Sequence, residues 1–320
     1  MTDVAGMVFD GVLATALVAF AVVATRAVRR TTKQRDRLER LRARVGWLEG
    51  QSLQLRKRAA EADVRAFLAR VGREPSLDVR ALSQYGEDTL LWTLLGHRVA
   101  DGRGVFIEAG AFDGKQISVT WLLEAAGWRG LLVEPIPERA EACRGNRPGS
   151  HVVAAALGAP GGPSQLEFSV FGDSEDGLGV LSSVKGVDGV SAEIAARANA
   201  KTETIRVPVV TLDAALEQAS DELGAIERVD AMVLDVEGFE ATALRGLDIA
   251  RWRPRVVLLE DNTMGRERDA AGILESAGYQ DGGWLGVNRI YVADDQPETL
   301  SLARAWTTAL DWSNFIVRGL

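Results

Sequence analysis

Cysteine occurs once, at Cys143, so no disulfide can close within the chain, and the pattern fits a reducing compartment or indifference to redox. Histidine occurs twice, at His97 and His151, too few for a metal site built on several imidazoles, and no metal site is expected. The dinucleotide fingerprint G-x-G-x-x-G is missing from the one glycine loop placed to use it, which removes the usual cradle for a pyrophosphate. Positive charge is scarce outside one segment. Residues 26–70 hold fourteen Lys/Arg against five Asp/Glu, a net +9, which leaves −17 for the rest of a chain whose total is −8. Nucleic-acid binding needs a positive surface, so the acidic body excludes a nucleic-acid partner.

The 320 residues, 47% of them hydrophobic, suffice for one large core and an added segment. That segment lies at the start. Val4 to Thr25 is apolar apart from Asp10 and small residues, and 22 helical residues reach roughly 33 Å, enough to span a bilayer. Asp10 lies towards the amino-terminal end, where the interface can hydrate it. A secretory signal begins with positive residues; here Arg26, Arg29, Arg30, Lys33 and Arg35 follow the apolar run instead. The expectation is a single-pass membrane anchor over residues 1–25, with the positive flank and everything after it in the cytoplasm.

Residues 26–75 read as a basic helical stalk. Leu38, Leu41, Val45, Leu48, Ser52, Leu55, Ala59, Ala62, Ala66 and Ala69 follow alternating steps of three and four, the seam of a coiled coil. Two readings stay open: a parallel homodimer through the stalk, or a single amphipathic helix lying on its own domain or on anionic lipid. Gly72 to Pro75 ends the helix, and residues 76–320 form the main domain.

That domain is organised around Val105 to Gly114, V-F-I-E-A-G-A-F-D-G. Gly104 to Ala109 has the continuous apolar character of a strand covered on both faces, and Gly110 and Gly114 allow a tight loop. Ile117 to Ala126 has helical spacing, and Gly130 to Val133 is a second strand ending at Glu134. Strand, glycine loop, helix, strand and acid make a nucleotide-binding half, with Glu134 placed to accept ribose hydroxyls. An acid before the loop, Glu108, and another inside it, Asp113, suit a cationic, phosphate-free ligand, which points to S-adenosylmethionine. Pro135-Ile136-Pro137 opens the next helix, and Ile136 is placed to pack on an adenine face. Ser83-Gln84-Tyr85-Gly86-Glu87-Asp88 leads into a helix from Thr89 to Leu95, and His151 to Leu157 reads as a third strand.

Gln165 to Phe171 and Arg206 to Val210 are further strands, separated by a Gly-, Ser- and Asp-rich loop, 172–189, expected to face substrate. Leu212 to Ala219 is a helix capped by Thr211 or Asp213. Ala231 to Glu240, A-M-V-L-D-V-E-G-F-E, repeats the strand, acid, glycine and helix order, and Val256 to Leu259 runs into Glu260. Three strands therefore end in acids: Glu134, Asp235 and Glu260. In a parallel sheet those ends line the ligand crevice.

The segments F-I-E-A-G-A-F-D-G, L-L-V-E-P, V-P-V-V-T-L-D and V-L-D-V-E-G-F-E-A-T-A-L-R-G resemble the FkbM family of S-adenosylmethionine-dependent methyltransferases, as do S-Q-Y-G-E-D and G-V-N-R-I-Y-V. The resemblance covers roughly Ser83 to Ala293. It implies an α/β, Rossmann-like class I methyltransferase fold with a seven-stranded sheet and helices on both faces. It also implies an enzyme that methylates a hydroxyl oxygen of a sugar, glycolipid or secondary metabolite. Glu108 stands where an aspartate is commoner. The candidate cofactor residues are Gln84, Tyr85, Glu108, Gly110, Asp113, Gly114, Glu134, Pro135 and Ile136; Gln84 or Asp113 would take the methionine amino group. With histidine scarce, the base is sought among Asp235, Glu237 and Glu260, with Asp235 first. Two alternatives use the same fold: an NAD-dependent oxidoreductase, and a non-catalytic membrane scaffold with a degenerate methyltransferase domain.

Overall fold

The computed structural model describes residues 4–97, 103–171, 182–184 and 202–318, with side chains for 34–97, 103–170 and 202–308. By its internal contacts the chain divides into Met1–Gln54 and Leu55–Leu320. Helix α1, Val4–Val71, begins in the first unit and ends in the second. Among the described residues no helix is long and apolar enough to cross a membrane. The expected span, Val4 to Thr25, rests on side chains that lie outside the described residues. In the first unit the α1 side chains from residue 34 to 48 are exposed.

The helix break falls after Val71, as the glycine and proline there dictate, but the packed domain begins earlier, at Leu55. Ala60, Val64, Phe67 and Leu68 of α1 are buried in the core with α2, Glu87–Leu95. Strand β1, Val105–Ala109, is followed by α3, Trp121–Ala125, then β2, Arg129–Val133, α4, Pro137–Asn146, and β3, Ser150–Val153. Strands β4, Ala156–Leu157, β5, Gln165–Phe171, β6, Ser182–Val184, and β7, Thr202–Val210, form a second sheet in the order β4-β7-β5-β6. The chain continues through α5, Leu212–Leu223, β8, Ala231–Leu234, α6, Glu240–Arg245, α7, Ile249–Trp252, and β9, Val256–Glu260. It closes with α8, Asp269–Ser276, β10, Tyr279–Leu285, β11, Asn288–Ala293, and α9, Pro297–Arg318.

The main sheet has seven strands in the order β10-β11-β9-β8-β1-β2-β3. Strands β9, β8, β1, β2 and β3 are parallel, and β11 pairs antiparallel to both β9 and β10. Because side chains alternate along a strand, Phe106, Leu132, Val233 and Leu258 enter one core layer while Ile107, Leu131, Met232 and Val257 enter the other. Both faces are covered, as the unbroken apolar runs require. The ends of β1, β2, β8 and β9 therefore sit side by side, and the acids that follow them share one rim.

Two expected elements differ. The strand at His151 to Leu157 breaks after Val153, and Ala156 and Leu157 cross to pair with β7 in the second sheet. The helix expected over Ile117 to Ala126 shrinks to Trp121–Ala125, with Ile117 at φ +52°. The apolar spacing there is overridden because Ser118, Val119 and Thr120 turn inward to hydrogen-bond Glu108. The candidate substrate loop 172–189 lies outside the described residues except for β6.

Candidate active site

The β1 loop is held from beneath by a buried charge cluster. Glu108 accepts hydrogen bonds from Ser118 Oγ at 2.9 Å, Val119 N at 2.7 Å and Thr120 Oγ1 at 2.5 Å. Arg147, fully buried at the end of α4, places its guanidinium 3.5 Å from Glu108 and 2.7 Å from Glu124, and donates to the Gly114 carbonyl at 2.9 Å. Glu124 is further satisfied by Ser150 Oγ and Gly149 N. Glu108, read from the sequence as a ligand residue, is thus engaged by its own loop. Gly114 serves this packing too: at φ +74°, a Cβ there would lie 2.7 Å from Cys143 Sγ and 2.8 Å from Arg147 Cγ. Asp113 closes the same loop through Lys115 N and Gln116 N.

Gly110 marks where the loop turns to the crevice. Its φ is +85°, its N–H donates to Val133 O at 2.9 Å, and a Cβ would stand 1.9 Å from the Asp235 carbonyl oxygen. No side chain fits there, so the β1 and β8 loops touch backbone to backbone. Beside Gly110 lies a largely apolar recess lined by Val133, Pro135, Ala155, Leu166, Phe168, Val236 and Phe239. The second sheet supplies Leu166 and Phe168 to this wall through β5.

Glu134 is buried at the end of β2, with Phe112 N on one carboxylate oxygen at 3.0 Å and Ile136 N on the other at 2.9 Å. Burial pushes its carboxyl up to about 7, against the pull of those two N–H groups and Arg139. Each oxygen keeps a lone pair for a further donor. Pro135 lines the recess, and Ile136 is buried beside the start of α4.

Asp235 reaches solvent although protein surrounds it, the position of a group deep in a cleft. That enclosure raises its carboxyl above the usual carboxylate range; a hydrogen bond from Glu260 pulls it down, and the charge of Glu108 pushes it up. Glu260, half-buried at the end of β9, is raised strongly by burial and then by the Asp235 charge, with Glu237 and Glu240 adding to the rise. Burial thus pushes both carboxyls above the usual carboxylate range, the Asp235 charge raises Glu260 further, and the hydrogen bond between them runs from Glu260 to Asp235. Glu237 sits at φ +55° in the connecting turn. Glu240 is structural: one oxygen accepts from Val236 N at 3.1 Å and Gly238 N at 3.2 Å, tying down that turn.

The S-Q-Y-G-E-D segment folds against the β10–β11 hairpin. Ser83 and Asp88 bond to each other, with Oγ to Oδ1 at 2.7 Å. Glu87, buried and pushed up to about 7 by that burial, accepts from Tyr85 N at 2.7 Å and Asn288 Nδ2 at 2.9 Å. Asn288 stands opposite Glu260 in the β9–β11 register, so the two side chains share a face. The Tyr85 ring covers Gly286, where a Cβ would lie 2.4 Å from the ring, and its phenol is raised by burial and by the charges of Glu87 and Glu260. Gln84 is exposed.

The fold thus brings Gly110, Glu134, Pro135, Asp235 and Glu260 to one rim, with Tyr85 beside Glu260, and turns Glu108, Gly114 and Asp113 to loop support. Sequence reasoning missed Phe112, whose N–H holds Glu134 and whose ring lies 4.8 Å from the Arg139 guanidinium, and missed the Glu87–Asn288 bond. Neither has a local signal: Phe112 matters through its backbone at φ +51°, and Glu87 and Asn288 are 201 residues apart. The residues fit S-adenosylmethionine. Glu134 offers lone pairs to ribose hydroxyls, the recess suits a purine face, and the carboxyls of the rim favour a cation.

The Methyltransferase FkbM domain profile matches residues 108–280, more than half of the chain. No curated protein matches the chain by sequence. Among solved structures, the chain is similar to an O-methyltransferase from Bacillus cereus in complex with SAH, at 13% identity over 73% of this chain and 90% of that one, with a TM-score of 0.34. A TehB-like SAM-dependent methyltransferase from Corynebacterium glutamicum aligns at 13% identity over 73% and 98%, TM-score 0.32. Precorrin-6y C5,15-methyltransferase from Geobacter metallireducens aligns at 14% identity over 68% and 93%, TM-score 0.35.

Proposed function

The chain belongs to the FkbM methyltransferase family, and from that premise we propose that it methylates a hydroxyl oxygen of a sugar, glycolipid or secondary metabolite at the cytoplasmic face of a membrane. The family's cofactor is S-adenosylmethionine, which replaces the oxidoreductase reading. Bound at the rim, it supplies a methyl group on a sulfonium, an electrophile that needs no further activation. What remains for the protein is to align an acceptor and remove its proton.

The Asp235–Glu260 pair carries this reading. A hydroxyl becomes a competent nucleophile when a base takes its proton, and Asp235 is a carboxyl that solvent can reach, held beside Gly110 and accepting a hydrogen bond from Glu260. Its raised value brings it closer to neutrality, where a general base works best. Glu134 would take the ribose hydroxyls, and Pro135 with the β5 side chains Leu166 and Phe168, which line the recess beside Gly110, would hold the purine. Support for the membrane comes from the Val4 to Thr25 run and the arginines that follow it.

Calorimetry on the full chain in detergent tests the cofactor half: wild type is expected to bind S-adenosylmethionine and not NAD, and Glu134→Ala to lose that binding. Labelled methyl transfer to a panel of sugars and glycolipids, with the product's linkage read by mass spectrometry, tests the rest. Methylation on nitrogen or carbon would sink the hydroxyl assignment. A chain released from membranes by alkaline carbonate would sink the anchor.

A further inference from the structure

Exposed apolar side chains are not scattered over the described surface. Of the eight large hydrophobics that stand exposed, five belong to the α1 seam: Leu38 at 56%, Leu41 at 52%, Val45 at 37%, Leu48 at 50% and Leu55 at 65%. Contiguous apolar surface of this kind marks an interaction site. In heptad terms Leu38, Val45, Ser52, Ala59 and Ala66 are a positions, and Leu41, Leu48, Leu55, Ala62 and Ala69 are d positions.

Within Leu55–Val71 the chain's own domain leaves the seam positions uncovered. Within Leu55–Val71, the buried residues Ala60, Val64, Phe67 and Leu68 occupy b, f, b and c positions, while Leu55, Ala59, Ala62, Ala66 and Ala69 are exposed. Over this stretch the domain buries the b, c and f side and reaches the flanks at Asp63 and Arg65, while the a and d side chains stay exposed. Of the two readings open in the sequence, residues 55–71 of the helix do lie on their own domain, but not by the a and d positions of the heptad seam. Gly46 and Gly50, which have no neighbour within 4 Å, fall at b and f, where they do not interrupt the seam.

We infer that the seam pairs with a second copy of this chain as a parallel, two-stranded coiled coil. Leu at d with Val45 at a favours two strands, and Ser52, the one polar a residue, sets the register. Charge chooses the direction. In a parallel pair Arg44 meets the partner's Glu49, and Arg58 the partner's Asp63, which in its own chain also accepts from Trp92 Nε1 and pairs with His97, against the like pairs Arg37 with Arg42 and Arg65 with Arg70. In an antiparallel pair every flanking charge meets its own sign: Arg37 with Arg65, Arg44 with Arg58, Arg42 with Arg70, Glu49 with Asp63 and Arg56 with Arg56. Opposite charges at these positions set orientation.

The test uses the full chain in nanodiscs, where the one native cysteine, Cys143, is buried. Leu41→Cys and Leu48→Cys are expected to form interchain disulfides rapidly, and Ala43→Cys, at an f position, to stay at background. Light scattering is expected to give a mass of two chains for wild type and of one chain for Leu41→Glu/Leu48→Glu, with S-adenosylmethionine binding unchanged as the check on folding. A one-chain mass for wild type, with no excess of disulfide at Leu41 or Leu48 over Ala43, would overturn the dimer. So would protection of Leu41→Cys from maleimide by anionic vesicles without dimer formation, which would put lipid on the seam. Disulfide formation between Leu41→Cys and Ala66→Cys chains, but not between two Leu41→Cys chains, would overturn the parallel arrangement.

Discussion

Two sets of acids differ in their company: Glu108 in β1 with Glu124 in α3, and Asp235 after β8 with Glu260 at the end of β9. Glu108 and Glu124 share the Arg147 guanidinium and five hydroxyl or backbone donors among them, sealed from solvent. Asp235 and Glu260 have each other, and Asp235 is open to solvent. A buried carboxylate paired with arginine is part of the scaffold, and a carboxylate paired with another carboxyl holds a proton it can exchange. The residue type is the same in both places, so the partner decides the role.

The largest expected effects fall on the two sets separately. Arg147→Met leaves two buried acids without their cation and is expected to cost ~3–5 kcal/mol, read as a lower urea midpoint. Asp235→Asn is expected to slow methyl transfer about 10²- to 10⁴-fold while leaving cofactor affinity and the urea midpoint near wild type. If Asp235→Asn instead unfolds the protein and spares the rate, the division between the sets is wrong. Glu134→Gln comes next, weakening S-adenosylmethionine binding by about ten- to a hundredfold, or ~1.4–2.8 kcal/mol, in calorimetry.

Glu134 also makes a pH prediction. Its carboxyl is raised to about 7, so wild-type affinity for the cofactor is expected to fall as pH drops below that value, and Glu134→Gln to show a flat profile. The stability linkage has the opposite sense. A folded-state value above the unfolded one gives a contribution that is full below the ordinary carboxylate range and is lost as pH rises through about 7. The apo fold therefore loses stability from Glu134 over the range in which ligand binding gains. The smallest effect is expected at Glu240, which holds two backbone N–H groups: Glu240→Ala should cost about 1–2 kcal/mol in denaturation.

Much of the sheet was legible because parallel strands buried on both faces leave unbroken apolar runs, and each turn carries a glycine or an acid. Thr211 was readable as a helix cap, and its Oγ1 does accept from Ala214 N at 3.2 Å. Glu134, Asp235 and Glu260 could be placed on one rim because strand ends converge in a parallel sheet. The uses of Glu108 and Gly114 were not legible. Both depend on Arg147, which is 39 residues from Glu108 in the chain and reads locally as one more surface arginine. The short α3 misled for a related reason, since its apolar spacing gave no sign that Ser118 and Thr120 were committed to Glu108.

The sequence by itself determined the buried strands of the main sheet, the order of its nucleotide-binding half and the heptad phase of α1, because these follow from spacing along the chain. Only the tertiary structure decided which acids are paired with a cation and which with each other, and which face of α1 its own domain occupies. Those outcomes depend on contacts between residues far apart in sequence, and a local pattern carries no record of the partner it will meet.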